Sequence, residues 1–137
     1  LQVARGHVIN ACGGGDGGLF HGITGRYLGN VAVELPGSDA DAAATRALAA
    51  RLVRSSADAA WANRAHGVDG PWFGPDWTRP ATVPGRDGVA ASGGVMSSDP
   101  AERDLSVQLS GWMVLEQAAR LERVENLHPR PVEHRTW

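Results

Sequence analysis

ACGGGDGGLFHGITGRYLG, residues 11–29, admits two readings, and the choice between them decides the fold. Gly13, Gly15 and Gly18 fit G-x-G-x-x-G, the turn that seats a dinucleotide pyrophosphate on a helix N-terminus. That reading requires a strand before the glycines, a helix after them, a second strand next, and an acid about 20 residues on. Glu34 and Asp39 stand near that distance and a helix does follow, yet the element after it is the clearest helix in the chain. The phosphate loop of the Walker type is excluded, because the chain contains no lysine. The second reading places the glycines on a helix. At about 100° per residue, Gly18, Gly22, Gly25 and Gly29 fall within about 60° of one another, opposite a face carrying Phe20, Ile23, Thr24, Tyr27, Val31 and Leu35. An interior helical glycine costs about 0.5–1 kcal/mol relative to alanine. Such a stripe is therefore kept for close approach, either of a neighbouring helix or of a ligand.

Working outward, the first helix is predicted over roughly residues 19–35 and ends at Pro36 and Gly37. DADAAATRALAARLVRSSADAAWAN (residues 39–63) is dense in helix formers and free of Gly and Pro, with Ser38 or Asp39 as N-cap. Its expected buried stripe is Leu48, Leu52, Ala59 and Ala60, with Arg46, Arg51, Arg54 and Asp58 in solvent. A connection rich in glycine and proline runs from Arg64 to Ser98, a length that is uncommon unless functional or disordered. A third helix is expected from Asp99 as N-cap, with Pro100 at N1 and Glu102 at N3, to about Val124. Its first half is apolar nearly all round (Leu105, Val107, Leu109, Trp112, Met113, Val114, Leu115), as if buried on several sides. The expected class is all-α, with a loose tail over residues 128–137.

Bulk properties limit the functions open to the chain. Its 137 residues match one domain, and 42% hydrophobic content is ordinary. A net charge of −2 offers no electrostatic case for nucleic acid as a partner. No apolar run approaches the roughly 20 residues that span a bilayer. The lone Cys12 excludes an intrachain disulfide. His7, His21 and His66 are scattered, and His128 and His134 lie on the tail without helical spacing, so neither a metal nor another cofactor is expected. The chain begins at Leu1, which reads as a piece of something longer with its own start missing.

D-x-G-L-F-H-G-I-x-x-R-Y-L, from Asp16 to Leu28, resembles the F-K-G-I-F-x-R-x-L signature of glycoside hydrolase family 76, the bacterial and fungal α-1,6-mannanases. The order of later elements is also similar. An N-x-x-x-x-W element is matched loosely by Ser56, Ala60 and Trp61, a W-x-G-P by Trp72 to Pro75, and a Q-x-S by Gln108 to Ser110. The resemblance spans about residues 8–124 and would cover the C-terminal third or so of a family member. Two positions depart from the signature, where His21 replaces a lysine and Thr24 a phenylalanine. The family's catalytic pair of adjacent aspartates has no counterpart, since no Asp-Asp occurs in the chain.

The resemblance implies that residues 1–127 form the C-terminal part of an (α/α)6 toroid, about one and a half helical hairpins plus a long loop. The implied activity is retaining endo-hydrolysis of α-1,6-linked mannan, with no catalytic residue here and with dependence on the missing N-terminal part. A secreted or cell-envelope location follows from the same resemblance. The expected partner is a mannan-type saccharide. For binding it, the candidates are Asp16, His21 and Arg26, the last two flanking the bare glycine strip as polar arms, and Trp72 and Trp77 in GPWFGPDW as stacking surfaces. Asp69 and Asp76 border the loop and are placed to bond sugar hydroxyls, while Trp61 is expected to pack beneath it. Phe20 is expected in the core. The alternatives are a small helical binding or structural domain without activity, and a part of another α/α-toroid carbohydrate enzyme.

Overall fold

A computed structural model of the chain describes residues 4–11, 13–85 and 96–127. A short antiparallel hairpin, β1 (Ala4–Arg5) and β2 (Val8–Ile9), precedes a 3₁₀ turn over Gly15–Leu19 that runs directly into α1 (Phe20–Glu34). Helix α2 (Ala40–Ala62) follows a short link and is capped as expected, the Asp39 carboxylate accepting from the Ala42 amide at 2.9 Å. The long connection contains a second hairpin, β3 (Ala65–Gly67) with β4 (Gly70–Trp72), which the sequence reading did not anticipate. Helix α3 (Leu105–Leu127) packs against both α1 and α2. Apart from the two small hairpins, the regular structure among the described residues is all helical. The tail at 128–137 lies outside the described residues.

Helix α3 does not begin at Pro100. A 3₁₀ turn occupies Ala101–Arg103 and Asp104 is extended, so the helix starts at Leu105. The Asp104 carbonyl accepts the first helical bonds, from Val107 and Gln108. Its carboxylate is spent elsewhere, receiving the Gly15 amide at 2.6 Å and the Ser98 amide at 2.9 Å. Burial pushes that carboxyl's pKa up, and the bonds from Ser98, Gly15 and Ser97 more than reverse the effect and hold it below the usual range.

The glycine stripe faces inward. Gly18, Gly22, Gly25 and Gly29 are buried against α3, where a Cβ on Gly22 would lie 2.5 Å from the Ser110 Cα. The expected core face is not the buried one: Phe20 is 57% and Tyr27 68% accessible, and Ile23, Thr24, Val31 and Leu35 are only half-buried. The physical reason is backbone proximity. With no Cβ between them, α1 and α3 approach closely enough for Ser110 Oγ to accept from the Gly22 amide at 3.1 Å and donate to the Gly18 carbonyl at 2.5 Å. The hydroxyl thus sits between groups four residues apart, where the 3₁₀ turn becomes an α-helix.

The same preference for small residues rotates the other seams. On α2 the buried positions are Ala49, Val53, Ser56, Ala57 and Ala60, and Leu48 is exposed rather than buried. On α3 they are Val107, Ser110, Gly111, Val114, Gln117 and Leu121, while Leu105, Leu109 and Trp112 remain exposed. Helices lined by small side chains pack at short range, and the larger ones splay to the flanks.

Candidate active-site cleft

The bundle has two unlike ends. At one, α1 and α2 are joined by the short Leu35–Asp39 link. At the other, α1 begins, α2 finishes and the long connection crosses over. That connection is tied down at several points. Gln108 clamps Phe73 in both directions, accepting its amide at 2.9 Å and donating to its carbonyl at 2.8 Å. Glu102 accepts the Thr82 amide at 3.0 Å, and Asn63 donates to the Trp77 carbonyl at 2.9 Å. Phe73 and Trp77 insert into one core cluster with Ile9, Ala57, Ala60 and Val114. Gly111 makes room for the Phe73 ring, which a Cβ there would overlap. The Gln108 and Ser110 of the Q-x-S element, and the Phe73 of the W-x-G-P element, are thus packing and clamping residues. Phe73 was missed as a core anchor because the neighbouring tryptophan carries the stronger aromatic signal.

The five saccharide-contact candidates are distributed unevenly. His21 and Trp77 are brought together, their ring centroids 4.3 Å apart and tilted by 59°. Both are buried, His21 to 1% and Trp77 to 3% accessibility, so in this chain neither side chain presents surface to a ligand. His21 shares the inward side of α1 with the glycines, and α3 covers the strip it was expected to flank. Neither imidazole nitrogen, nor the Trp77 indole nitrogen, has a hydrogen-bond partner among the described residues. Burial lowers the His21 pKa from 6.5 to about 4 against an opposing pull from Asp76, so the ring is neutral at pH 7.

Arg26 is exposed and borders a hollow of about 390 Å³ with Ile23, Tyr27, Asn30 and Met113. Asp16 is exposed on the 3₁₀ turn before α1. Trp72 is half-buried on β4, its indole lying against Gly67, where a Cβ would come within 2.5 Å of Nε1. Trp61 does not lie beneath the loop. It is exposed on α2, with the Arg64 guanidinium 3.6 Å above its ring.

Directly beside the His21–Trp77 pair, a cleft of about 340 Å³ is lined by Val8, Ile9, Asn10, Ala11, Asp76 and Thr78. Asp76 Oδ1 accepts both the Thr78 amide at 2.9 Å and the Thr78 hydroxyl at 2.6 Å, fixing the carboxylate's orientation. Arg79 Nε stands 3.7 Å from Oδ2. The cleft offers the Asp76 carboxylate, the Thr78 hydroxyl and the Asn10 amide beside the smaller apolar side chains of Val8 and Ala11. It holds a single carboxylate and so no general-acid and nucleophile pair. No cluster of three or more metal-ligating side chains occurs among the described residues, and no helix there is long and apolar enough to cross a membrane.

No family model matches the chain, and no curated protein does. Solved structures do. The GH76A α-1,6-mannanase from Salegentibacter sp. HEL1_6 is similar with a TM-score of 0.60 and 30% identity, over 88% of this chain and 29% of that one. Two inactive variants of that enzyme, each substituted at two consecutive aspartates, match at TM-scores of 0.59; one is in complex with α-1,6-mannotriose and the other with α-1,6-mannotetrose. The chain spans under a third of the length of these relatives. The resemblance to glycoside hydrolase family 76 therefore holds in three dimensions, and the fold is that of part of an α/α toroid.

Proposed function

We propose, from this resemblance to family 76, that the chain is the C-terminal portion of a retaining endo-glycosidase acting on α-1,6-linked mannan, to which it contributes groove wall. The observation that carries the reading is the match to an α-1,6-mannanase at 30% identity over 88% of the chain. The match to variants inactivated at consecutive aspartates supports the division of labour, since these 137 residues contain no Asp-Asp. In a retaining mechanism one carboxylic acid protonates the leaving oxygen while a carboxylate about 5–5.5 Å away attacks the anomeric carbon. Both groups would come from outside this chain. Asp16, Arg26 and Trp72 are exposed or half-buried and remain the proposed contacts to the glycan, while His21 and Trp77 would act only by holding the wall in place.

Dependence on a further part of the polypeptide is supported by the aromatic and leucine side chains left in solvent. Phe20 and Tyr27 on α1, and Leu105, Leu109 and Trp112 on α3, are the surfaces that neighbouring hairpins of a toroid would cover. The purified 137-residue chain is expected to release no reducing ends from α-1,6-mannan. Measurable release would overturn the assignment of the catalytic acids to a missing part.

A further inference from the structure

Two points hold the long connection to the bundle, one on either side of Trp77. Upstream, Phe73 has no accessible surface, and Gln108 bonds both its amide and its carbonyl. Downstream, the Asn63 carbonyl accepts the Ala81 amide at 2.7 Å, and Glu102 accepts the Thr82 amide at 3.0 Å. Residues 74–80 therefore form a strap fixed at both ends. Midway along it Trp77 is 3% accessible, and the Asn63 side chain donates to its carbonyl at 2.9 Å. Its indole nitrogen has no partner among the described residues, so the ring is kept in place by packing alone. Its neighbours Asp76 and Thr78 border an open cleft of about 340 Å³, which gives the middle of the strap room to lift while both ends stay fixed.

The ring covers a titratable group. His21 is 1% accessible, its ring centroid lies 4.3 Å from that of Trp77, and neither of its nitrogens is bonded among the described residues. On the strap, Asp76 pulls the imidazole toward its charged form, and Arg79 stands 3.7 Å from that carboxylate. The other members of the core cluster, Ile9, Ala57, Ala60, Phe73 and Val114, cannot titrate. On the flanking elements Asp104 is bonded to Gly15 and Ser98, Glu102 to Thr82, and Arg64 lies over Trp61, while Asp16 and Arg26 are exposed. A proton on His21 thus places a charge in apolar surroundings with one counter-charge and no hydrogen bond, a cost that is relieved once water reaches the ring. We propose that His21 and Trp77 form an acid-released latch: protonation of the imidazole expels the indole, the strap at residues 74–80 lifts, and the α1–α3 seam stays packed beneath it. Lifting opens the imidazolium to the cleft that Asp76 borders, where water and that carboxylate both support the charge. The latch follows from the packing of this chain and does not depend on the family 76 reading.

The open form takes up the proton first, because its imidazole titrates near 6.5 and the closed one at about 4. The opening equilibrium should therefore rise about 20-fold between pH 7 and pH 5. The test is native-state hydrogen exchange of the 137-residue chain at those two pH values, corrected for the intrinsic pH dependence of exchange. The Ala81 amide and the Trp77 indole N–H should each gain about 20-fold, at rates insensitive to low urea, because a local opening exposes little surface. The Gly22 amide, bonded to Ser110 in the seam, should exchange more slowly at both pH values and accelerate with urea. His21→Phe keeps an aromatic ring that takes no proton, and should abolish the gain at Ala81. Should that variant fail to fold, the urea dependence of the unsubstituted chain decides alone. Strap exchange that shared the urea dependence of Gly22 would mean that acid acts by unfolding the whole chain, and would overturn the latch. So would the absence of a gain, or an equal gain in His21→Phe.

Discussion

The seam between α1 and α3 and the loop-covered end of the bundle are held by opposite kinds of residue. Along the seam the contacts are Gly18, Gly22, Gly25 and Gly29 against Val107, Ser110, Val114 and Gln117, and the Ser110 hydroxyl bonds to backbone twice, accepting from Gly22 and donating to Gly18. At the loop end they are Phe73, Trp77 and His21, large rings filling the space that irregular chain leaves over a bundle. Two straight helices can approach along their whole length, so deleting side chains lets the backbones bond each other through one hydroxyl. A loop matches its support at only a few points, so each point needs a bulky anchor and a polar clamp such as Gln108.

The largest effect is expected at the loop end. Phe73→Ala removes a ring with no accessible surface and should cost about 3–5 kcal/mol in chemical denaturation. Hydrogen exchange should show the lost protection concentrated in residues 65–82 rather than in the α1–α3 seam. Loss spread equally over both would mean that the two regions are one cooperative unit, and the contrast drawn above would fail.

Acid should strike the same end. His21 is held neutral in the folded protein with a pKa of about 4, whereas in the unfolded chain it titrates near 6.5. The unfolded state therefore takes up the proton first. Stability is full above about pH 6.5 and falls as the pH drops toward 4, by roughly 3 kcal/mol in total from this group. Repeating the denaturation series with His21→Phe should flatten that part of the profile. An unchanged slope would remove His21 as its source.

The seam is probed by a pair of substitutions chemically identical but differently placed. Gly22→Ala sets a Cβ 2.5 Å from the Ser110 Cα, a backbone atom that cannot swing aside, and should cost about 2–3 kcal/mol. Gly25→Ala meets Val114 Cγ2 at 3.4 Å, an ordinary contact, and should be neutral or stabilising by up to about 1 kcal/mol through helix propensity. Thermal melts that ranked the two the other way would show that the helices are not in register as described.

The legible parts of the fold were those set by neighbours in sequence. Residues 39–63 form a helix because good helix formers follow an aspartate able to cap them, and Asp39 does cap. The glycine stripe was legible as a surface for close approach by a helix or a ligand; that α3 would take it while Phe20 and Tyr27 stayed exposed was not legible. Periodicity ranks faces by side-chain transfer energy, and by that measure Phe20 and Tyr27 belong inside. A glycine has no side chain to count, so the advantage of bringing two backbones together does not enter. The start of α3 was misplaced for a similar reason: the carboxylate that organises it, on Asp104, is committed to Gly15 and Ser98, which are distant or outside any helix.

The candidate site shows the same division. Asp76 was legible as an acid beside the loop, and the D-W-T order at 76–78 carries the polar, buried, polar alternation that pins it. Its partner stretch at 8–11 had no such mark, because nothing in the order Val8, Ile9, Asn10, Ala11 says which distant residues it will face. By itself, the sequence determined the three helices, the loop, the absence of a paired aspartate and the resemblance to family 76, all properties of local pattern and spacing. Only the tertiary structure decided which side of α1 turns inward, that His21 and Trp77 are buried against each other, and that Asn10 and Asp76 share one cleft. Those depend on how closely two backbones can approach, and that distance is set jointly by residues far apart in the chain.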